Sequence, residues 1–182
     1  RAEMLPIIID QVGGLVNAAS VALLYIDEQA DDFVIEQAKG IWAGNVGLHI
    51  PRTDGVLSQV IDKGEPYITN DLQNDQDIFQ CNEIGEIHGF IEIPLVADKV
   101  VIGFLEVASR DVFTDQDVRL LGAISGIAAN AIHRASLHEQ TQNYASDLTR
   151  AYDSTLEGWV HALEMRDQET EGHTRRVVQT AV

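Results

Sequence analysis

Glu169 and His173 stand four residues apart, and on a helix that spacing puts a carboxylate and an imidazole on one face. Both side chains can then converge on one metal ion. The same spacing also describes a solvated pair, and two donors alone do not close a tight site. Gly172 between them loosens the turn. Cys81 is the single thiol, so no intrachain disulfide forms, which fits a reducing, cytoplasmic setting. Its flanks, Gln80, Asn82 and Glu83, supply no cation to favour a thiolate, so it reads as an ordinary thiol rather than a chromophore anchor or oxidant sensor. His49 and His88 each stand alone, a weak pattern for haem ligation, and His138 and His161 fall on a long helical stretch. There is no phosphate-cradling P-loop, no Gly-rich dinucleotide turn and no Ser-His-Asp motif.

The elements that must position these residues follow from periodicity. Leu5, Ile8, Ile9, Val12, Leu15 and Val16 recur at helical spacing over residues 3–19, with Pro6 in the first turn, where a missing N–H costs little. Residues 20–27 and 33–38 read as two strands around a polar turn. A Gly-rich stretch, 40–55, holds one short strand at 48–50. Asp54 is expected to cap a helix over 55–63, which Gly64 ends, and residues 66–69 form a short strand. Residues 70–88 are acidic loop and short helix without a Lys or Arg. Residues 89–96 and 100–108 form a hairpin around Asp98-Lys99.

Thr114, followed by Asp115 and Asp117, opens a long helix whose first turn matches the helix dipole. Leu120, Leu121, Ile124, Ile127, Ala128 and Ile132 form its stripe. Further on, Thr141, Ala145, Leu148, Tyr152, Thr155 and Trp159 alternate at spacings of four and three, a heptad-like seam with polar members. The helix is expected to run about 50 residues, roughly 75 Å at 1.5 Å per residue. Such a helix cannot bury itself on a domain of about 110 residues, so its distal half needs a partner, most simply the same helix of a second chain.

Composition bounds the rest. The 182 residues are 45% apolar and 23% charged, enough for one core and an appendage. The formal charge of -17 is spread along the chain; it confers solubility and repels nucleic acid and anionic lipid, so neither nucleic acid nor membrane is an expected partner. No apolar run reaches the roughly 18 residues of a membrane span.

The order helix, two strands, Gly-rich loop and helix, acidic loop, two strands, long helix resembles a GAF domain over residues 1–134. Three stretches carry the likeness: Gly55-Val56-Leu57 through Gly64-Glu65-Pro66-Tyr67-Ile68-Thr69-Asn70-Asp71, then Phe90-Ile91-Glu92-Ile93-Pro94-Leu95, then Phe113-Thr114-Asp115-Gln116-Asp117 with Leu120-Leu121. The resemblance implies an α+β fold: an antiparallel sheet flanked by helices, with a long C-terminal signalling helix. It also implies a ligand cavity lined from the segments that hold Trp42, His49, Tyr67, Phe79, Cys81 and His88. The signature of cyclic-nucleotide-binding GAF domains of mammalian phosphodiesterases is missing.

Residues 156–182 resemble the opening of an HD-GYP domain, through Ala162-Leu163-Glu164-Met165-Arg166-Asp167, Glu169-Thr170-Glu171-Gly172-His173 and Arg176-Val177. In that family the residues matching Glu169 and His173 are metal ligands, and iron or manganese suits such a carboxylate-imidazole site. The family's remaining site residues are expected beyond Val182, and the Arg1 start is expected to be a cut in a longer protein. The expected organisation is therefore a sensor domain over 1–134, a linker or coiled-coil helix over 135–155, and the start of an HD-GYP-like domain over 156–182.

That organisation implies a sensory, dimerising module of a bacterial signalling protein, not itself catalytic and with no cofactor of its own. Its self-contact would run through residues 114–165, and an unknown small molecule would occupy the cavity. The parent protein would hydrolyse cyclic di-GMP with Fe or Mn. A ligand-free structural dimerisation domain and a cyclic-nucleotide-binding GAF domain are the alternatives.

Overall fold

In the computed structural model of the chain, residues 3–27, 29–52, 55–75, 78 and 86–180 are described, apart from the side chains of 164 and 166–180. The strand β1 (Ser20–Asp27) is buried on both faces: Val21 and Leu23 enter one core cluster, Ala22 and Leu24 another. Side chains alternate along a strand, so one continuous apolar run feeds both sides of a covered sheet. Around β1 lies an antiparallel sheet of six strands in the order β3-β2-β1-β6-β5-β4. The others are β2 (Asp32–Gly40), β3 (His49–Pro51), β4 (Tyr67–Thr69), β5 (Gly89–Ala97) and β6 (Val100–Ser109).

One face carries α1 (Met4–Leu15) and the start of α3 (Asp115–Thr180). Leu5, Ile9 and Val12 of α1 and Leu121, Ala128, Ala129 and Ile132 of α3 pack there against Ile91, Ile93, Leu105 and Val107. The helix α1 ends at Leu15, inside the 3–19 stretch whose apolar positions run to Val16, and Asn17 turns the chain through φ 47° into β1. The other face carries α2 (Val56–Lys63), whose Val56 and Val60 pack over Trp42, Phe90 and Phe104. Gly64 ends α2 in the left-handed region at φ 66°, its N–H donating to the Val60 carbonyl at 2.8 Å. Among the described residues no side chain caps the start of α2, which follows Gly55; Asp54, expected in that role, lies outside them.

Two local devices fix the hairpin and the helix. Asp98 and Lys99 both take positive φ, 50° and 68°, the two-residue turn whose twist matches that of the flanking strands. At the start of α3, the Thr114 N–H and hydroxyl donate to Asp117 Oδ2 at 2.9 and 2.7 Å, and the Asp117 N–H returns a bond to Thr114 Oγ1 at 3.3 Å. These bonds hold the Asp117 carboxyl below its usual range.

The chain divides into two units, Arg1–Ser136 and Leu137–Val182. The first holds the sheet. The second is helix to Thr180, and Tyr144, Leu148, Tyr152 and Trp159 are exposed on it. Among the described residues no helix is long and apolar enough to cross a membrane.

Candidate functional site

A cavity of about 420 Å³ opens on the α2 face of the sheet. That volume lies in the range of small-molecule sites. Phe33 and Ile35 of β2, Phe90 and Glu92 of β5, and Glu106 and Ala108 of β6 form its floor. Val56 and Leu57 of α2 cover one side, and Trp42, Asn45, Leu48, His49 and Ile50 another. The floor residues share a face because they share a parity along their strands, opposite to Ile91, Ile93, Leu105 and Val107.

Trp42 is fixed by a relay. Its backbone N–H donates to Ser20 Oγ at 3.2 Å, and that hydroxyl donates to the Lys39 carbonyl at 2.7 Å. Its ring meets Phe90 edge-on at 6.1 Å, and Phe33 meets Phe104 edge-on at 5.3 Å. The Arg52 guanidinium lies 5.8 Å from the centre of the Phe33 ring. The wall is thus apolar, aromatic and held in place.

Two carboxyls break that surface. Glu92 and Glu106 pair directly across the β5–β6 ladder, and both line the cavity. Glu92 is 1% exposed, and neither of its carboxyl oxygens has a hydrogen-bond donor. Burial, then the charge of Glu106, pushes its carboxyl well above the usual range. Burial also pushes Glu106 up, to about 7, against the effect of a hydrogen bond from Glu92. Glu106 is half-buried by surface area because its open side faces the cavity. Two ionised carboxylates cannot bond each other. The pair is satisfied internally only when one keeps its proton, and Glu92, wholly enclosed, is the one that holds it.

Of the residues singled out in the sequence, Trp42 and His49 line the cavity. His49 sits at an exposed edge, its Nδ1 3.3 Å from Asp32 Oδ2. Tyr67 packs beside the cavity rather than in its lining, because its hydroxyl turns away to donate to Asp75 Oδ2 at 2.7 Å. His88 is exposed and outside the lining; its backbone bonds the Ser109 carbonyl and the Leu72 N–H, tying β5's approach to β6. Phe79 and Cys81 lie outside the described residues. Glu169 and His173 fall in α3, where the helical backbone gives them one face, but their side chains lie outside the description. Among the described residues no group of three or more His, Cys, Asp or Glu gathers to hold a metal ion.

Glu92 and Glu106 were missed because a polar residue between two apolar ones reads as solvent-facing. The available signal was the parity of Glu106 with Phe104 and Ala108, and its place opposite Glu92 once the hairpin turns at Asp98-Lys99.

The family model described as "GAF domain" matches residues 1–133. Solved structures share the fold at low identity. The GAF domain/HD domain protein from Geobacter sulfurreducens is 16% identical with a TM-score of 0.66, covering 74% of this chain and 93% of that one. The GAF-B domain of DevS from Mycobacterium smegmatis is 20% identical with a TM-score of 0.62, covering 77% and 98%. The GAF domain from an Acinetobacter phosphoenolpyruvate-protein phosphotransferase is 18% identical with a TM-score of 0.63, covering 72% and 81%. No curated protein matches the chain.

Proposed function

The chain belongs to the GAF domain family, and from that membership we propose that it is a sensory and regulatory module in which a small molecule in the cavity biases the helix leaving the sheet. The observation that carries this reading is the cavity itself: about 420 Å³, aromatic-walled, with convergent polar groups in its floor. The output element is α3. Its first turns pack on the sheet through Leu121, Ala128 and Ile132, and the same helix runs on to Thr180. A ligand that binds one arrangement of that helix more tightly than another shifts the balance between them.

The partner is a second copy of this chain, joined through residues 114–165. Leu148 and Trp159 are 71% and 66% exposed, an apolar seam that the matching helix of another copy would cover. The polar seam members Thr141 and Thr155 bond back to their own helix, to the carbonyls of Leu137 and Ala151. They add no cross-helix bond, which keeps the packing marginal and switchable.

The output domain is an HD-GYP-like, metal-dependent cyclic di-GMP phosphodiesterase opening at residues 156–182, with Glu169 and His173 as two of its iron or manganese ligands. The resemblance of those residues supports this, as does a GAF relative described as a GAF domain/HD domain protein. Two donors on one helix supply only part of a coordination shell, so this chain alone does not hold the metal. The test is hydrolysis of cyclic di-GMP by the longer protein with Fe(II) or Mn(II), beside Glu169→Ala. Activity that collapses in the variant supports the assignment; no activity with either metal sinks it.

A ligand-free dimerisation domain and a cyclic-nucleotide site are the competing readings. Against the second, the described lining contains Glu92 and Glu106 but neither Lys nor Arg to meet a cyclic phosphate. The first is separated by spin labels at Ser154→Cys in a Cys81→Ser background. A ligand that raises the melting temperature must also change the inter-label distance; ligand binding without such a change removes the sensor reading.

A further inference from the structure

The strongest unexplained feature of the molecule is the Glu92–Glu106 pair. The ladder does not need it: strand pairing runs through the backbone, and like charges directly opposite each other weaken a sheet. Leaving a buried carboxyl without a donor is costly. Glu92 is 1% exposed, neither of its oxygens receives a hydrogen bond, and it lines a cavity through which a donor can arrive. The described lining holds no Lys or Arg; its other polar side chains are Asn45, His49 and the Trp42 indole. Around the acids stand the aromatic rings of Phe33, Trp42 and Phe90, which suit a flat apolar body.

We infer that the cavity takes a small organic cation, an amine or amidinium carried on an aromatic or aliphatic body, whose N–H groups bond Glu92 and Glu106. This rests on the reading of the cavity as a ligand site and names the ligand's class. The ammonium or amidinium supplies the two or more donors that the orphaned oxygens lack, and its body replaces water against the rings. Binding ionises the pair, so the proton held at Glu92 leaves to solvent as the cation enters. Atoms and charge balance: one organic cation in, one proton out.

The test is calorimetric titration of the whole chain with two isosteric series. One is tryptamine, tryptophol and indole-3-acetate; the other is benzamidine, benzamide and benzoate. Each is run on the parent, Glu92→Gln and Glu106→Gln. The expected result is binding of the cations in preference to the neutral and anionic members. Proton release should show as a buffer-dependent enthalpy, and either Gln variant should weaken cation binding by about 10- to 100-fold. Equal binding of neutral and cationic members overturns the cation class but leaves the cavity a ligand site. Silence of all six overturns the cation class as well. If both Gln variants are then also less stable than the parent, the acids belong to the packed core and the ligand reading falls with it.

Discussion

Glu92 of β5 lies directly opposite Glu106 of β6, both on the cavity side of the sheet and both pushed above the ordinary carboxylate range by burial. Their folded pKa values stand above the unfolded ones, so the native state holds more protons than the unfolded chain across that interval. Stability from this pair is therefore fully present below about pH 4.5 and is lost as pH rises through about 7, where Glu106 titrates. The slope is at most about 1.4 kcal/mol per pH unit for each group. Asn45 and His49 share the lining and Tyr67 faces Glu92 across the β4–β5 ladder; no Lys or Arg stands in the described lining. Urea melts from pH 5 to 8 should show Glu92→Gln gaining on the parent as pH rises. A difference that stays flat would mean the pair does not titrate as argued.

Gly103 has no room for a side chain. A Cβ there would lie 2.2 Å from the Leu24 carbonyl oxygen of the neighbouring strand β1, so β6 and β1 would have to part. Gly103→Ala should cost about 1–3 kcal/mol of unfolding free energy. Gly122 in α3 is the control, since nothing lies within 4 Å of its added carbon. Gly122→Ala should gain about 0.5–1 kcal/mol through helix propensity and a restricted unfolded chain. Denaturant midpoints for the two variants should move in opposite directions.

Asn70 anchors the start of α3 to the sheet from 43 residues away. Its Oδ1 accepts from the Phe113 N–H at 2.7 Å and its Nδ2 donates to the Phe113 carbonyl at 3.1 Å. Asn70→Ala leaves both backbone groups without that partner and should cost about 1–3 kcal/mol. Thr114→Ala removes only the helix cap and should cost about 1 kcal/mol. Thermal melts of the two should rank Asn70→Ala as the less stable; the reverse order would place the anchor in the cap alone.

These particulars show where the sequence could be read and where it could not. The β5–β6 hairpin was legible because two apolar runs flank a polar dipeptide, and Gly64 was legible because a helix end wants a residue that tolerates positive φ. The end of α1 was less so: the apolar pattern runs on to Val16, and only the turn at Asn17 stops it. Where the named residues lie relative to the cavity was legible only in part, for a physical reason. Trp42 and His49 follow from segment position, but Tyr67 and His88 depend on where one hydroxyl and one ring turn, which spacing does not encode. Glu92 was hidden by its own alternation: Ile91 and Ile93 beside it face the helices, which makes the acid look solvated until the second covered face is known.

The second unit bears its apolar side chains outward, and this determines the last expectation. Tyr144, Leu148, Tyr152 and Trp159 recur at spacings of four, four and seven along α3, and each is more than two-thirds exposed or close to it, at 74%, 71%, 67% and 66%. An amphipathic helix without a covered face gains little from its apolar stripe in isolation, whereas two copies aligned along that stripe remove both from water. Leu148 stands at its centre. Leu148→Asp puts a charge where the partner's chain would bury it, and a buried unpaired charge costs several kcal/mol. If two copies pair along this stripe as proposed, the parent should sediment as a dimer and the variant as a monomer at the same concentration, while the melting transition of the sheet domain stays in place. An unchanged sedimentation coefficient would remove this helix face from the dimer and leave any self-association to the surfaces of the first unit.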